Sequence, residues 1–351
     1  MGTRLIIALG GCALAFSARG LSQPVNQAKP LFAGDDKIHI VIQAPLQTLI
    51  RNRNYKGSIP GTLTDPSGFP LPIGLTLRGH ANRTTDVCEF PPLRVDFTSA
   101  PPPTSVFSGQ KKLKLVTHCQ NNPSNQQHIL LDYAAYRMYN LLTLRSFRAR
   151  LADVDYRGPD GRPIISRIGF FIEDERDVAK RNGLHQVKAP EARIPVEALS
   201  PSDAARYALF EHMIGNHDWS MRAGPEGEEC CHNAKLIGIF ATGATIPIPY
   251  DFDFSGLVDS PYAPVPEELH ISSVRDRFYR GYCIHNSQVI TIAAQMRTAE
   301  PAILNVLNRV PGLEDRTRVK AANYLQSFFA QIATDGGVRE HILKRCLAYN
   351  P

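Results

Sequence analysis

"PIPYDFDFSG" occupies residues 247–256. Two prolines lead into Asp251 and Asp253, and Tyr250, Phe252 and Phe254 flank the two acids. A chain that only needs to turn has little use for carboxylates set between aromatic rings. The pattern is that of acids held in place while the rings exclude water. Hard cations such as magnesium take oxygen ligands of this kind, often one or two carboxylates together with substrate phosphates. The plain alternative is that both aspartates cap backbone amides in a turn.

About thirty residues upstream, "IGNHDWS" (214–220) follows a predicted helix and places Asn216, His217 and Asp218 in a loop. Between the two segments, "NAKLIGIF" (233–240) and "TIPIP" (245–249) read as a hairpin. Such a hairpin would carry Asn233 and Asp251 toward Asp218. Asp218, Asn233, Asp251 and Asp253 are then the candidate oxygen donors, with Asn216 a rival ligand and a structural calcium site a second possible use. His217 reads as a loop histidine with a backbone partner.

The chain changes character near residue 185. Before it, "KIHIVIQ" (37–43), "GLTLRG" (74–79), "LRVDF" (93–97) and "KLKLVT" (112–117) alternate apolar and polar side chains, as half-buried strands do. One helix interrupts them over 127–143, and 147–174 reads as a hairpin tipped by Pro159, Asp160 and Gly161. After the linker-like 188–202, "SPSD" (200–203) reads as a helix start, with Ser200 as cap, Pro201 first in the helix and Asp203 closing a capping box. Further helices are expected at 287–299, 301–308, 315–332 and 336–346, with Val319, Ala322, Leu325 and Phe329 along one inward face of the third. The expected organisation is a signal peptide over 1–22, a strand-rich lobe over 36–185 and a helical lobe over 186–351. Clefts between lobes are preferred ligand sites.

Bulk properties exclude some classes. A net charge of +6, with no long Lys/Arg run, argues against a dedicated nucleic-acid surface. Arg4 and the apolar "LIIALGGCALAF" (5–16) form an export signal too short to span a bilayer, and no later segment is long enough to do so. Removing the signal leaves six cysteines, an even number that favours disulfides in an exported, periplasmic or extracellular, protein. Cys88 and Cys119 both lie in the strand-rich half and are expected to pair. Adjacent Cys230 and Cys231 are expected to reach Cys283 and Cys346.

Five pieces, in order, resemble the CotH-like atypical protein kinases. They are "LRGHANR" (77–83), "FSGQKKLKLVTHCQ" (107–120), "IGFFIEDERDVAKRNG" (168–183), "GNHDWS" followed by "HNAKLI" (215–220 and 232–237), and "IPYDFDFSG" (248–256). The resemblance implies an α+β, bilobed protein-kinase-like fold with a strand-rich N-lobe and a helix-rich C-lobe. It implies magnesium-dependent phosphoryl transfer from ATP to a hydroxyl of an exported protein or glycan. Asp218 would orient or deprotonate the acceptor, Asn233 and Asp251 would hold magnesium, and Asp253 would brace Asp251. Lys112 or Lys114 would neutralise the phosphates, with Arg94 as a rival and Glu173 orienting the cation. In phosphoryl transfer the protein mostly positions groups and neutralises charge, so this set is chemically sufficient. Fifteen residues separate Asp218 from Asn233, where related kinases often use fewer, and no G-x-G-x-x-G loop covers the phosphates. The alternatives are a catalytically silent binding protein of the same shape and a metal-dependent phosphoesterase. "GNHD" matches one signature of the latter, but the other motifs of such enzymes are missing from the sequence.

Overall fold

The computed structural model describes residues 28–79, 84–189, 193–239 and 244–348, together with Gly2. The rest of the expected signal peptide and residues 80–83 of the "LRGHANR" piece lie outside the described residues.

Seven strands close into a barrel: β1 (Ile38–Gln43), β2 (Ile59–Thr64), β3 (Pro70–Leu77), β4 (Leu93–Phe97), β5 (Lys112–Val116), β6 (Ala149–Arg157) and β7 (Pro163–Ile172). Their order around the barrel is β1-β2-β3-β4-β5-β7-β6. Alternation places Ile38, Ile40 and Ile42 of β1, Leu93 and Val95 of β4, and Leu113 and Leu115 of β5 in the interior. Neighbouring strands run antiparallel except at the seam, where β6 lies parallel to β1 from Ile38↔Ala152 to Gln43↔Arg157.

This closed barrel overturns the expected bilobed kinase-like fold, although the α+β class stands. Alternation tells which face of a strand is buried but not which strand lies beside it. The seam joins segments more than 100 residues apart, and parallel neighbours need a long crossover. β2 was also hidden from the sequence, because Pro60 and Gly61 break the usual strand composition.

Helix α1 (Gln47–Arg51) lies between β1 and β2. Helix α2 (Gln126–Leu142) is inserted between β5 and β6 and packs against both β7 and α5 (Asn286–Arg309). A second core forms there, shared by α2, α4 (Pro201–Ile214), α5, α6 (Asp315–Gln331) and an antiparallel sheet ordered β10-β9-β8 (Thr245–Pro249, Ala234–Gly238, His185–Gln186). Phe252 is fully buried at its centre, edge-on to Tyr136 at 4.7 Å and to Phe210 at 5.6 Å. Burying such a ring contributes about 1.5–3 kcal/mol. The ring between the two acids therefore anchors the loop that carries them.

The start of α4 follows the sequence reading, with Pro201 in the first turn. Ser200, however, donates its hydroxyl to Asp203 Oδ2 at 2.7 Å and makes no cap bond to a backbone N–H. The helix ends at Gly215, whose φ is +65°. A Cβ there would lie 2.0 Å from Tyr324 Oη, so backbone conformation and space both require glycine. The two helices expected around Pro301 are one, α5. Val319 is 57% exposed and not inward; Ala321, Tyr324, Leu325, Phe328 and Phe329 form the buried face of α6. Helix α3 (Glu175–Arg181) follows β7, and the helix expected over 336–346 is a succession of short turns, α7 (Asp335–Gly337), Val338–Ile342 and Leu343–Arg345.

Three disulfides join Cys88 to Cys119, Cys230 to Cys231 and Cys283 to Cys346. The first pairing was expected. The second corrects the reading that adjacent cysteines seek distant partners, since Cys283 and Cys346 satisfy each other. Among the described residues no helix is long and apolar enough to cross a membrane. The disulfides are compatible with export.

Candidate functional site

The left-handed turn at Gly215 aims the 216–220 loop across the hairpin of β9 and β10. Asp218 is held there at both carboxylate oxygens. His232 Nε2 lies 2.7 Å from Oδ1, and Asn233 Nδ2 donates to Oδ2 at 2.8 Å and to the Asp218 carbonyl at 2.7 Å. Backbone bonds tie the same segments together: Ser220 N–H donates to His232 O, and His232 N–H to Ala223 O, each at 2.9 Å. The fifteen-residue excursion is thereby closed at its base. The hydrogen bond that His232 makes to Asp218 raises the His232 pKa above its ordinary value, against an opposing effect of burial.

Asn233 also links Asp218 to the acidic segment. Its carbonyl accepts from Tyr250 N–H at 3.2 Å and from Tyr207 Oη at 3.1 Å. The hairpin register pairs Ala234 with Pro249, so Tyr250 lies opposite Asn233 and Asp251 follows at the strand end. Asn233 and Asp251 have left-handed backbone, with φ of +46° and +68°. Such conformations are uncommon for residues other than glycine and cluster at functional sites. Helix α2 holds the acidic loop from beneath. Tyr136 Oη accepts the Asp251 N–H at 2.9 Å, and Asp132 accepts the N–H of Phe252.

A cavity of about 410 Å³ opens next to this loop, with Arg78, Lys114, Lys235 and Glu175 in its wall. Lys114 and Lys235 lie over the Tyr250 ring, at 4.1 and 5.5 Å from its centre. Burial, with Arg78 and Lys235 nearby, depresses the Lys114 pKa to about 7, while Asp251 and Glu175 act in the opposite sense. Burial raises the Glu175 pKa, opposed by Lys235 and Lys114. Six cations (Arg78, Arg94, Lys112, Lys114, Arg176, Lys235) and three acids (Glu173, Asp174, Glu175) line this cavity, an excess of positive charge suited to a polyanion.

The other expected cations are less central. Lys112 is exposed, and Arg94 lies in the same wall but is paired with Asp96 at 2.9 Å. Glu173 does not face Lys114. It is buried against Arg181 at 3.0 Å and accepts the Arg148 N–H at 3.1 Å. The acid that acts on Lys114 is Glu175, two residues on, while Glu173, in the same cavity wall, is committed to Arg181.

Asp253 lies with Asp132, Asp251, Arg78 and Tyr262 around a smaller space of about 30 Å³. Asp132 is fully enclosed, and its Oδ1 makes no hydrogen bond. Burial, then Asp253 and Asp251, push its pKa well above the carboxylate range. Asn216, the rival ligand, is buried beneath the loop, where its Oδ1 accepts the Asp218 N–H at 3.1 Å. His217 accepts from Phe278 N–H at 3.3 Å, the backbone partner expected of it.

Among the described residues no group of three or more His, Cys, Asp or Glu side chains is placed to hold a metal. A closed calcium cage or a two-metal centre needs more ligands than that. A hard cation there could be held only together with oxygens that a bound molecule supplies.

Arg78, Asp132, Tyr136 and Lys235 are candidate-site residues that the sequence reading did not single out; Glu175 read equally as a helix N-terminal acid and as a site residue, and His232 was set aside as a metal ligand. His232 adjoins Asn233, and Lys235 lies on the same hairpin strand, so their proximity was legible in principle. Asp132 and Tyr136, four apart on an otherwise apolar helical face, were the available signal in α2. No protein-family model and no curated protein matches the chain.

Proposed function

We propose that this is an exported, periplasmic or extracellular, phosphotransferase that moves the γ-phosphoryl group of ATP to a hydroxyl of a protein or glycan, with magnesium. The observation that carries the reading is Asn233, which bonds Asp218 on one side and the base of the Asp251 loop on the other, next to a cation-lined cavity. In this account Lys114, Arg78 and Lys235 neutralise the phosphates. Asp218 accepts the acceptor's proton, and His232 and Asn233 fix its orientation. Bound magnesium, held by Asp251 and Asn233, would supply charge neutralisation on the phosphates. Positioning and charge neutralisation are the protein's main contributions to such a transfer. Asp253 and Asp132 brace the loop from behind.

The test is transfer of label from γ-³²P-ATP to a hydroxyl-rich exported protein fraction or glycan. Asp218→Asn should reduce transfer at least ~100-fold, the scale of a lost general base. Retention of full activity in that variant rejects the assignment.

One observation favours a second reading, binding of ATP without transfer. Both carboxylate oxygens of Asp218 already have partners. Under that reading Asp218→Asn leaves nucleotide affinity intact and the wild type transfers no label.

A further inference from the structure

Away from the acidic loop, a cavity of about 300 Å³ lies between the C-terminal half of α2, the Phe32–Asp35 turn and the start of β6. Three guanidinium groups reach it, from Arg137, Arg148 and Arg181. Two are already matched. Arg137 grips Asp35 with both terminal nitrogens, and Arg181 pairs with buried Glu173 while also donating to the carbonyls of Leu144 and Ser146. Arg148 has no acid of its own. Its guanidinium donates from Nη1 to the Phe32 carbonyl at 3.1 Å and makes no other hydrogen bond among the described residues. Three cations therefore face two carboxylates. A half-buried guanidinium with an unfilled fork is suited to a planar carboxylate, whose two oxygens match the N–H pair.

The rim adds a second requirement. Leu141 and Leu144 are 49% and 72% exposed, side by side with this polar floor. A pocket with a few convergent polar groups and aliphatic walls is the usual form of a small-ligand site. One unmatched positive charge calls for one negative charge, which favours a carboxylate over a phosphate dianion.

We infer that this cleft binds a monocarboxylate carried on a branched aliphatic group, with Arg148 holding the carboxylate and Leu141 and Leu144 covering the aliphatic part. The source is either a small free acid or the C-terminus of a peptide ending in such a residue. The site is separate from the acidic loop and does not depend on the proposed transfer reaction.

The experiment is calorimetric titration of the intact, oxidised protein with three probes: 4-methylpentanoate, acetyl-Ala-Ala-Leu with a free C-terminus, and the same peptide as its C-terminal amide. The free-acid peptide should bind at least ten times more tightly than the amide, a comparison that needs no variant. Binding of 4-methylpentanoate as well assigns the site to small acids; binding of the peptide alone assigns it to chain termini. Arg148→Gln should weaken binding of the acid at least tenfold, while Lys114→Met leaves it unchanged. No binding of either acid, equal affinity for acid and amide, or full affinity in Arg148→Gln overturns the inference.

Discussion

Asn233 donates its side-chain amide to Asp218 Oδ2 at 2.8 Å, across fifteen residues of sequence. One nitrogen thereby fixes the acid assigned to the acceptor, while the Asn233 carbonyl, 3.2 Å from Tyr250 N, fixes the strand end that delivers Asp251. Asn233→Ala keeps that carbonyl but removes the amide that holds Asp218 and the side-chain oxygen proposed for magnesium. The expected outcome is a fall in transfer of at least ~10-fold with weaker magnesium dependence, since a hydrogen bond to a charged group contributes about 1.5–3 kcal/mol. Steady-state assays over a magnesium series check it; an unchanged magnesium response would remove Asn233 from the site.

Tyr136 supports Asp251 by accepting its N–H at 2.9 Å from inside the second core. Tyr136→Phe keeps the ring packing against Phe252 and Phe170 but deletes the acceptor. Stability should fall by about 1 kcal/mol, the net contribution of an ordinary hydrogen bond. Mg-ATP affinity should fall as well, because the left-handed Asp251 backbone loses its prop. Urea unfolding and calorimetry on the same variant separate the two effects.

Lys114 titrates near neutrality because burial and its cationic neighbours lower its pKa to about 7. A polyphosphate favours its charged form, so binding above pH 7 takes up a proton. Affinity should then fall as pH rises from 7 to 9, by at most ~10-fold per unit for one proton. Lys114→Arg should flatten that dependence, since guanidinium remains charged throughout. In the free protein the sign is separate: between about 7 and the unfolded value of 10.5 the unfolded chain binds the extra proton, so this residue's contribution to stability rises with pH. Titration in buffers of different ionisation heat measures the proton uptake.

Glu211 lies buried under the catalytic-loop candidate, facing Asn216 without a hydrogen bond of good geometry. Burial raises its pKa well above 4.5. The folded chain therefore holds a proton that the unfolded chain releases, and stability falls as pH rises through the interval above 4.5. Glu211→Gln keeps the shape without the ionisation. Its melting temperature should match the parent near pH 4.5 and exceed it at pH 8. Parallel melting curves from pH 4.5 to 8 test the prediction, and a larger deficit at pH 8 contradicts it.

Cys283 and Cys346 join the start of α5 to the chain's last described turns, over a separation of 63 residues. Replacing both with serine should lower stability by about 2–5 kcal/mol, the usual effect of deleting a native disulfide. Denaturant midpoints of the oxidised parent and the double variant give the value.

Much of the strand content was legible, and the reasons are local. Ile38, Ile40 and Ile42 alternate with polar neighbours, and Pro159-Asp160-Gly161 marks its hairpin without help from elsewhere. The pairing of Asp153 with His39 across the barrel seam had no local sign, and the bilobed expectation failed there. In the candidate site, the acids that the hairpin carries were readable from their spacing. Glu173 and Glu175 are two residues apart, between the end of β7 and the start of α3, and choosing between them required knowing that Glu173 pairs with Arg181. Arg78 belongs to a quoted motif, yet only the folded barrel shows that its side chain lines both cavities beside Asp251.

The most direct test of the account is Mg-ATP binding to the oxidised protein, measured by calorimetry in the parent, Asp251→Ala and Lys114→Met. The account predicts binding in the parent that needs magnesium, falls at least tenfold in each variant, and survives Arg148→Gln. Absence of binding in the parent, or equal affinity in all four proteins, would contradict it.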